Sequence, residues 1–421
     1  MRIIVVGLGY VGLPLAVQLA KHFETWGVDI NQARIDELKA GFDRTDEIDE
    51  ARLEASALKL TSNAAECPPA DAYIVTVPTP IDANNKPDLS PVIGATKMVA
   101  NMIDPVRAPV IIYESTVYPG VTEDICGPLL ETTGGLTHGR DFFLGYSPER
   151  INPGDREHTV DKITKVIAGE NPEVTEILAT IYNAVTSGGV FRAASIKVAE
   201  AAKVIENAQR DINIAFMNEV TQIFGKLDLS IWDVLAAANT KWNFLPFTPG
   251  LVGGHCIGVD PYYLSHRAQE LGHDPQVILS GRAINDGMGQ WIADQIHDKM
   301  NGKAGDVLML GLTFKENVPD LRNSKVADVV AALARHGHTV TVHDPLADGD
   351  EAVHEYGLTL NADAFAGKYD AIVGAVSHDA YCALTPAQLE KMLRSGGLIA
   401  DIKRIWPEAA RAVPNAKVWT L

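Results

Sequence analysis

The chain has 421 residues, more than one ordinary hydrophobic core can serve, and this length predicts two or three domains. Its 46% hydrophobic and 21% charged residues are typical of a globular protein. The net charge of −18 disfavours nucleic acid and anionic membranes as partners. The four cysteines are scattered, without a CxxC pair or a His/Cys cluster, so the sequence predicts neither disulfides nor a metal site and fits a reducing cytoplasm.

The uncharged N-terminal segment 3–20, IIVVGLGYVGLPLAVQLA, follows an arginine, as a secretory signal or a membrane anchor also does. The fixed spacing of Gly7, Gly9 and Gly12 and the lack of a small-residue cleavage site favour a folded domain instead. These glycines form G-x-G-x-x-G between a β-branched strand and a helix. The pattern predicts the first β–α unit of a doubly wound sheet.

The same glycines predict a dinucleotide site. Gly7 permits the tight turn, Gly9 lets the backbone approach a pyrophosphate, and Gly12 lets the helix pack on the strand. The helix N-terminus offers N–H groups and partial positive charge to the phosphates. Asp29 closes the second strand, where it would accept the adenosine ribose hydroxyls and repel a 2′-phosphate, so NAD is predicted rather than NADP. A chance glycine turn is the alternative interpretation.

Two later apolar runs, AYIVTVPTP (72–80) and PVIIYEST (109–116), predict buried strands that end in loops. The carboxyl ends of parallel strands face the ligand in a doubly wound sheet. We therefore expect Thr79 and Thr116 near the nicotinamide, with helix capping as the alternative role.

A long helix is predicted over 196–224, a stretch without glycine or proline that is apolar on several sides. Such a helix is expected to be buried between domains or between subunits. Lys203 and Asn207 are four residues apart and share one helix face, where polar groups need partners. A lysine whose charge reaches solvent, beside a hydrogen-bonded asparagine, is the alternative.

The segment PGLVGGHCIGVDPYYL, called here the cysteine segment (249–264), contains Cys256 in a glycine-rich loop. A lone cysteine is more often a core residue, but a polar loop favours access to the thiol. A nearby lysine would favour the thiolate, which attacks carbonyls, and Asp260 could orient groups or relay protons. If the long helix brings Lys203 and Asn207 to this segment, the site has a nucleophile and oxyanion donors. Those groups suit oxidation of an aldehyde through a thioester.

A second nucleotide fold is predicted at 306–345, where strand, loop, helix and strand recur without G-x-G-x-x-G in the first turn. Lys315 and Arg322 occupy that loop and suit a phosphate-bearing ligand other than a dinucleotide, unless they are solvated surface charges. Its elements are predicted at 307–310, 324–336, 339–343, 371–376 and 398–402. The predicted fold class is therefore α/β, with two Rossmann-like doubly wound domains joined by a long central helix.

Taken together, the chain resembles the nucleotide-sugar 6-dehydrogenases of the UDP-glucose/GDP-mannose dehydrogenase superfamily along essentially its whole length. The motifs that carry the resemblance are GLGYVGLPLA, VPTP, STVYPG, SPERINPG, AEAAKVIENAQRDINIAFMNE, PGLVGGHCIGVDPYYL and GLTFKENVPDLRNSK. The resemblance implies an NAD-binding domain at 1–190, a central helical dimerisation domain with the cysteine segment at 191–300, and a UDP-sugar-binding domain at 301–421. It also implies a homodimer or higher oligomer built on the central helix.

The resemblance further implies a four-electron oxidation. A first hydride transfer to NAD+ turns the C6 alcohol of the sugar into an aldehyde, and Cys256 adds to it to give a thiohemiacetal. A second hydride transfer gives a thioester, which water hydrolyses to the uronic acid. Lys203 and Asn207 would stabilise the oxyanions and Asp260 would assist proton transfer, while Thr116 and Glu149 would position or activate water.

Further site residues carry over by motif position, and no metal is implied. For the cofactor they are Gly7, Gly9, Tyr10, Val11, Gly12, Asp29, Arg34, Pro78, Thr79 and Thr116. For the substrate they are Glu149, Arg150, Ile151, Lys203, Asn207, Lys241, Pro249, Gly250, Gly253, Gly254, Lys315 and Arg322.

The cysteine segment resembles the branch that acts on UDP-N-acetylhexosamines, because glucose enzymes typically read Gly-Gly-Ser-Cys-Phe and place a lysine where this chain has Val259. After SPE, the bulky Phe-Leu of those enzymes is replaced by Arg150 and Ile151, followed by Asn152. Arg150 and Asn152 could bind the acetamido carbonyl, which would be costly to bury unpaired. Nothing in these motifs separates UDP-N-acetylglucosamine from UDP-N-acetylgalactosamine. Either product would be a precursor of surface polysaccharide.

Three alternatives remain. One is a UDP-glucose or UDP-N-acetylmannosamine 6-dehydrogenase. Another is a two-electron β-hydroxyacid dehydrogenase, which also places Lys and Asn four apart but needs neither a loop cysteine nor a second nucleotide fold. The last is a non-enzymatic NAD sensor. Cys256 and residues 306–421 favour the four-electron enzyme over the β-hydroxyacid dehydrogenase. A non-enzymatic sensor would tolerate loss of the polar site residues.

Overall fold

The computed structural model describes residues 1–45, 47–82, 84–150, 159–254 and 256–421. Ile151 and Asn152, predicted near the substrate, lie outside the described residues. The chain divides into a first unit, Met1–Glu206 with Tyr262–His273, and a second unit, Asn207–Pro261 with Asp274–Leu421. The predicted domain boundaries near 190 and 300 stay a prediction.

The first unit contains an eight-stranded sheet in the order β3-β2-β1-β4-β5-β6-β7-β8. Its strands are β1 (Arg2–Val6), β2 (Glu24–Val28), β3 (Lys59–Thr61), β4 (Ala72–Val75), β5 (Val110–Tyr113), β6 (Phe143–Tyr146), β7 (Lys165–Gly169) and β8 (Val190–Arg192). All neighbouring strands pair in parallel except β6 and β7. The central strands β1, β4 and β5 are short apolar runs buried on both faces, as expected for a parallel sheet covered by helices.

The helices before the central one are α1 (Gly12–Leu19), α2 (Gln32–Lys39), α3 (Glu50–Glu54), α4 (Ser90–Ala100), α5 (Gly127–Gly134) and α6 (Pro172–Val185). Residues 3–20 fold into β1, the glycine turn and α1, and side chains of both elements belong to the core of the unit. No helix among the described residues is both long and apolar enough to cross a membrane.

The central helix α7 runs from Ile196 to Gly225, one residue beyond the predicted end. The helix α8 (Ile231–Ala238) precedes the cysteine segment, and α9 (Asp260–Glu270) begins within it. Four apolar side chains of α7 are about half exposed in the single chain, so the expected burial of this helix between domains or between subunits stays a prediction. These four side chains are Val198, Ile205, Phe216 and Ile223.

The second unit contains a five-stranded parallel sheet in the order β10-β9-β11-β12-β13. Its strands are β9 (Asp306–Leu310), β10 (Thr339–His343), β11 (Tyr369–Gly374), β12 (Leu393–Asp401) and β13 (Lys417–Thr420). The remaining helices are α10 (Gln276–Lys299), α11 (Lys325–Arg335), α12 (Gly349–Tyr356), α13 (Asp379–Cys382) and α14 (Pro386–Met392). The predicted fold class is confirmed, because each unit contains a doubly wound sheet with helices between its parallel strands.

Both sheets use the same turn after their first strand. Gly7 follows β1 with φ +93° and Gly311 follows β9 with φ +99°, a conformation that favours glycine. In each case the amide after the glycine donates to the aspartate that ends the next strand, to Asp29 at 2.9 Å and to Asp344 at 2.6 Å. Only the second aspartate also lies against a histidine, with His378 Nε2 at 3.1 Å. In the second turn His378 thus occupies the aspartate, whereas no such contact is recorded for Asp29 among the described residues.

Candidate active site

The glycine turn after β1 has the shape of a pyrophosphate cradle. An ideal Cβ on Gly12 would lie 1.8 Å from the carbonyl oxygen of Gly7 and 2.4 Å from Thr76 Oγ1, so only glycine fits there. A Cβ on Gly9 would meet nothing within 4 Å, which leaves open space above the loop. Tyr10 and Val11 lead from this loop into α1. The turn leaves room where a dinucleotide's phosphates are expected and is tightly packed where the helix meets the strand.

Two charged residues brace this turn from the protein side. Asp29 accepts the Leu8 N–H, and Arg34 Nε donates to the Leu8 carbonyl at 3.0 Å. Arg34 is buried and forms an ion pair with Asp43 at 2.6 Å. The structure therefore places Arg34, which was predicted to bind the cofactor, against the glycine turn as a support for its backbone, and its predicted contact with the cofactor stays a prediction.

The other predicted cofactor residues follow neighbouring strands of the same sheet. Pro78 and Thr79 follow β4, and Thr116 follows β5 and is half-buried. The Tyr263 hydroxyl of α9 donates to the carbonyl of Pro80 at 3.0 Å. Since β1, β4 and β5 are adjacent and parallel, their carboxyl ends bring these loops to one edge.

Thr76 is a contributor that the sequence interpretation missed. Its hydroxyl donates toward the carbonyls of Val6 (3.0 Å) and Gly7 (2.8 Å), so β4 holds the glycine turn in place. The residues of this edge fit NAD, with the open space at Gly9 for the pyrophosphate and Asp29 for the ribose. NAD supplies a hydride acceptor when bound.

Glu149 belongs to a buried charge cluster at the end of β6. Lys165 Nζ donates to Glu114 Oε2 at 2.9 Å and to Glu149 Oε2 at 3.3 Å, and the Tyr182 hydroxyl donates to Glu114. Although burial opposes the charged form, the two carboxylates raise the pKa of Lys165 and keep it cationic. Lys165 and Glu114 were missed, because Lys165 reads in the sequence as part of an ordinary apolar strand.

Arg150, next along the chain, is exposed. Its guanidinium forms an ion pair with Glu206 at 2.8 Å, and its backbone N–H donates to Glu149 Oε1 at 2.6 Å. A side chain paired in this way is held beside Glu149, and its predicted contact with the sugar stays a prediction.

The second unit joins three of the predicted catalytic residues. Asn207 Nδ2 of α7 donates to Asp260 Oδ2 at 2.5 Å, and the Asp260 N–H donates to the Cys256 carbonyl at 2.9 Å. Asp260 is buried and begins α9, whereas Cys256 is half-buried in the preceding turn. Lys203 lies one turn before Asn207 on α7 and is also buried. Asp260 thus links the amide of Asn207 on α7 to the turn that carries Cys256.

The cysteine segment packs against the loop that follows β9. An ideal Cβ on Gly253 would lie 2.6 Å from the Asn323 carbonyl, and one on Gly254 would lie 2.8 Å from the ring of Phe314. Asn323 Nδ2 also donates to the Gly254 carbonyl at 3.3 Å. Side chains at these two positions would push the loops apart. Pro249 and Gly250, at the start of the segment, are buried.

A small cavity opens between the cysteine segment and the second sheet. Its lining residues are Leu251, Gly253, Phe314, Lys315, Glu316, Ser324, Lys325, Val326, Ala375, Val376 and Lys403. Three of these are lysines, of which Lys325 was missed and forms ion pairs with Asp286 (3.0 Å) and Asp328 (3.1 Å). Because two aspartates pair with Lys325, the attraction of this cavity for an anionic ligand depends on Lys315 and Lys403.

Two predicted substrate residues lie apart from this lining. Arg322 forms a two-point contact with the buried Asp320, through Nε at 3.1 Å and Nη2 at 2.9 Å. Lys241 follows α8 and is exposed. Their predicted contacts with substrate stay predictions.

One Rossmann-like unit has a cofactor edge for NAD, and in the other the cysteine segment borders a lysine-lined cavity at Leu251 and Gly253. These are features of an NAD-dependent dehydrogenase with a separate anion-binding domain. The chain belongs to the UDP-glucose/GDP-mannose dehydrogenase family. The family's NAD binding domain matches residues 1–186 of this chain, the family's central domain matches residues 197–287, and the family's UDP binding domain matches residues 308–408. The predicted family, enzyme class and NAD cofactor are confirmed.

Similar proteins span the whole chain. The chain is 49% identical over 414 residues to a UDP-N-acetyl-D-glucosamine 6-dehydrogenase of Pseudomonas aeruginosa, covering 97% of this chain and 98% of the relative. It is 51% identical over 409 residues to Protein CapL of Staphylococcus aureus, covering 96% of each. The solved structure of a UDP-D-ManNAc dehydrogenase from Pyrococcus horikoshii has a TM-score of 0.88 to this chain, at 29% identity over 99% of both.

Proposed function

We propose that this protein catalyses the NAD-dependent four-electron oxidation of the C6 hydroxyl of a UDP-N-acetylhexosamine, UDP-N-acetylglucosamine or UDP-N-acetylgalactosamine, to the uronic acid. The observation that carries the proposal is the grouping of Asn207, Asp260 and Cys256 in a chain nearly half identical to a UDP-N-acetyl-D-glucosamine 6-dehydrogenase. The product would enter surface polysaccharide, and the reaction would take place in the cytoplasm.

The chain's own groups have separate tasks in this proposal. The Cys256 thiolate forms a C–S bond to the C6 aldehyde, and the carbonyl oxygen takes up a proton to give a thiohemiacetal. Lys203 and Asn207 donate hydrogen bonds to the oxyanions that form before and after this adduct. Asp260 holds the Asn207 amide and accepts or returns the proton. Hydrolysis of the later thioester returns the thiol and uses water activated by Glu149, with Thr116 as a positioning donor.

The lysines of the second unit support a UDP-sugar as the substrate. Lys315 and Lys403 line the same cavity as Gly253, three residues before the thiol. A diphosphate bound by these ammonium groups would lie beside the cysteine segment, so the attached sugar could reach Cys256. This is consistent with the family's UDP binding domain over 308–408.

An oligomer built on α7 is part of the proposal. At about 100° per residue, the exposed Val198, Ile205, Phe216 and Ile223 lie within about 20° of one line along the helix. An apolar stripe that spans four-fifths of a 30-residue helix is costly to leave in water, even with the exposed Gln209 on the same line. A second copy of the same stripe is a matching cover in a symmetric dimer.

The stoichiometry of the reaction tests this proposal. With purified protein, each UDP-N-acetylglucosamine consumed is expected to yield two NADH and one uronic acid, measured by absorbance and mass spectrometry. Cys256→Ala is expected to form no acid, while Cys382→Ala, an exposed cysteine of the same unit, keeps wild-type turnover. One NADH per sugar would indicate a two-electron dehydrogenase instead. The substrate assignment would be overturned if kcat/KM for UDP-glucose or UDP-N-acetylmannosamine exceeded the values for both UDP-N-acetylglucosamine and UDP-N-acetylgalactosamine.

A further inference from the structure

A fully buried asparagine forms hydrogen bonds with the start of the cysteine segment. Asn218, in the last third of α7, has no exposed surface. Its Nδ2 donates to the Gly250 carbonyl at 3.0 Å, and its Oδ1 accepts the Gly250 N–H at 2.8 Å. One side chain thus satisfies both backbone groups of a residue 32 positions away, in the way that a neighbouring strand would.

A second buried asparagine fixes the first. Asn285 of α10 accepts the other Asn218 N–H at 2.8 Å and donates to the carbonyl and the carboxylate of Asp211 at 3.0 and 2.7 Å. Arg282 completes the layer, with Nη1 2.6 Å from Asp211. Asn285 and Asp211 are fully buried and Arg282 is 2% exposed. The chain of contacts runs from α10 through α7 to the cysteine segment.

The hydrogen-bond inventory leaves no freedom in this arrangement. Asn218 uses both amide hydrogens and its oxygen, and Asn285 does the same. A carboxylate at either position would lack the donors, and an apolar residue would leave the Gly250 groups unpaired. Buried apolar side chains could stabilise the contact between α7 and α10 at least as well as these polar ones. The polar residues are therefore explained by the position in which they hold Gly250.

The segment is held again four residues later, where Gly254 meets Phe314 and Asn323. Cys256 follows two positions beyond that second contact. The Cys256 carbonyl accepts the N–H of Asp260, whose carboxylate binds Asn207, so the backbone that carries the thiol is held on both sides.

We propose that Asn218 and Asn285 are positioning residues for Cys256, which hold the cysteine segment at Gly250 and so keep the thiol in reacting geometry. The catalytic part of this inference rests on the proposed function, in which Cys256 is the nucleophile. The positional part does not, since it concerns the backbone of the segment in the protein alone.

The test uses the full-length protein without ligands first. In Asn218→Ala, amide hydrogen exchange in peptides covering 249–254 is expected to be about tenfold faster, because the bonds to Gly250 are lost. Iodoacetamide should modify Cys256 several-fold faster, with Cys382 of the same molecule as the internal reference. Asn285→Ala, which keeps both contacts to Gly250, should change both rates in the same direction by less. The matched control is Thr221→Val, which removes only a hydrogen bond from the same helix to the Met217 carbonyl.

Kinetics then test the catalytic part. We expect kcat for UDP-sugar oxidation to fall about tenfold to a hundredfold in Asn218→Ala, with KM for the UDP-sugar changed far less. Asn218→Asp should behave like the alanine variant, although it keeps the shape of the side chain. Unchanged exchange at 249–254, or faster exchange with wild-type kcat, would overturn the inference. A wild-type protein without UDP-sugar oxidation would refute the proposed function, while the exchange and alkylation rates would still decide the positional part.

Discussion

Both carboxylate oxygens of Asp29 accept hydrogen bonds from the protein's own backbone. Oδ2 accepts the N–H of Leu8 and Oδ1 accepts the N–H of Asn31, each at 2.9 Å. A carboxylate oxygen can accept more than one hydrogen bond, so these contacts orient the group and leave lone pairs for two ribose hydroxyls. The residue therefore shapes the glycine turn and binds the cofactor from the same position.

Asp29→Ala is expected to raise KM for NAD+ about tenfold or more, because it removes the ribose acceptors and loosens the Leu8 turn. It should also lower the preference for NAD+ over NADP+, since the charge that repels a 2′-phosphate is gone. Steady-state kinetics with both cofactors measure this. Asp36→Ala, an exposed acid on α2, is the control and should leave both values unchanged. A wild-type protein faster with NADP+ would contradict the assignment.

Single-residue roles could be predicted where a motif fixes both spacing and backbone. The glycine turn and Asp29 belong to that class. The bracing role of Arg34 does not, because its partners Leu8 and Asp43 are brought to it by the fold. For the same reason Thr76, whose hydroxyl contacts Gly7 across 69 positions, left no local signal.

A buried carboxylate, that of Glu200, joins the helix α7 to the loop that follows β5. Glu200 accepts the N–H groups of Gly120 at 2.6 Å and Thr122 at 3.0 Å. Burial raises the pKa of Glu200 to about 7 and outweighs these two hydrogen bonds, which favour the ionised form. The sequence predicted the helix almost to the residue, but this contact depends on pairing across 78 positions and could not be predicted.

This pKa gives an expected pH dependence. The pKa of a glutamate in an unfolded chain is about 4.3. Between about pH 4 and 7 the folded protein therefore binds more protons at Glu200 than the unfolded chain does. The contribution of Glu200 to the free energy of unfolding is therefore fully present at low pH. It is lost as pH rises through about 7, by an amount on the order of 3 kcal/mol.

Chemical denaturation between pH 5 and 8 should show the wild type losing stability relative to Glu200→Gln as the pH rises. Asp124→Asn is the matched control, because the exposed Asp124–Lys197 pair (3.0 Å) links the same two elements outside the core. Its stability difference from the wild type should stay flat over that range. Parallel curves for the wild type and Glu200→Gln, or a difference of opposite sign, would contradict the role of Glu200.

At the scale of the whole molecule, the sequence predicted the two doubly wound folds because each repeats strand, loop, helix and strand with an aspartate at the same place. It also predicted the family from motifs in both units. The buried clusters around Lys165 and Asn218 were not predictable, since each depends on side chains that reach a common point only after the sheets form. The same applies to the exposed stripe on α7. Helical periodicity predicts the line, but only the fold decides which side of the helix the rest of the chain leaves uncovered.

That stripe supplies the last prediction. Light scattering at micromolar concentration is expected to give at least twice the 45.4 kDa chain mass for the wild type. Phe216→Glu should shift the protein toward the monomer, because a symmetric interface places both new charges near one another in an apolar contact. Val106→Glu, at a side chain 91% exposed and away from α7, is the control and should keep the wild-type mass. A monomeric wild type, or a Phe216→Glu variant with unchanged mass, would contradict assembly through this helix.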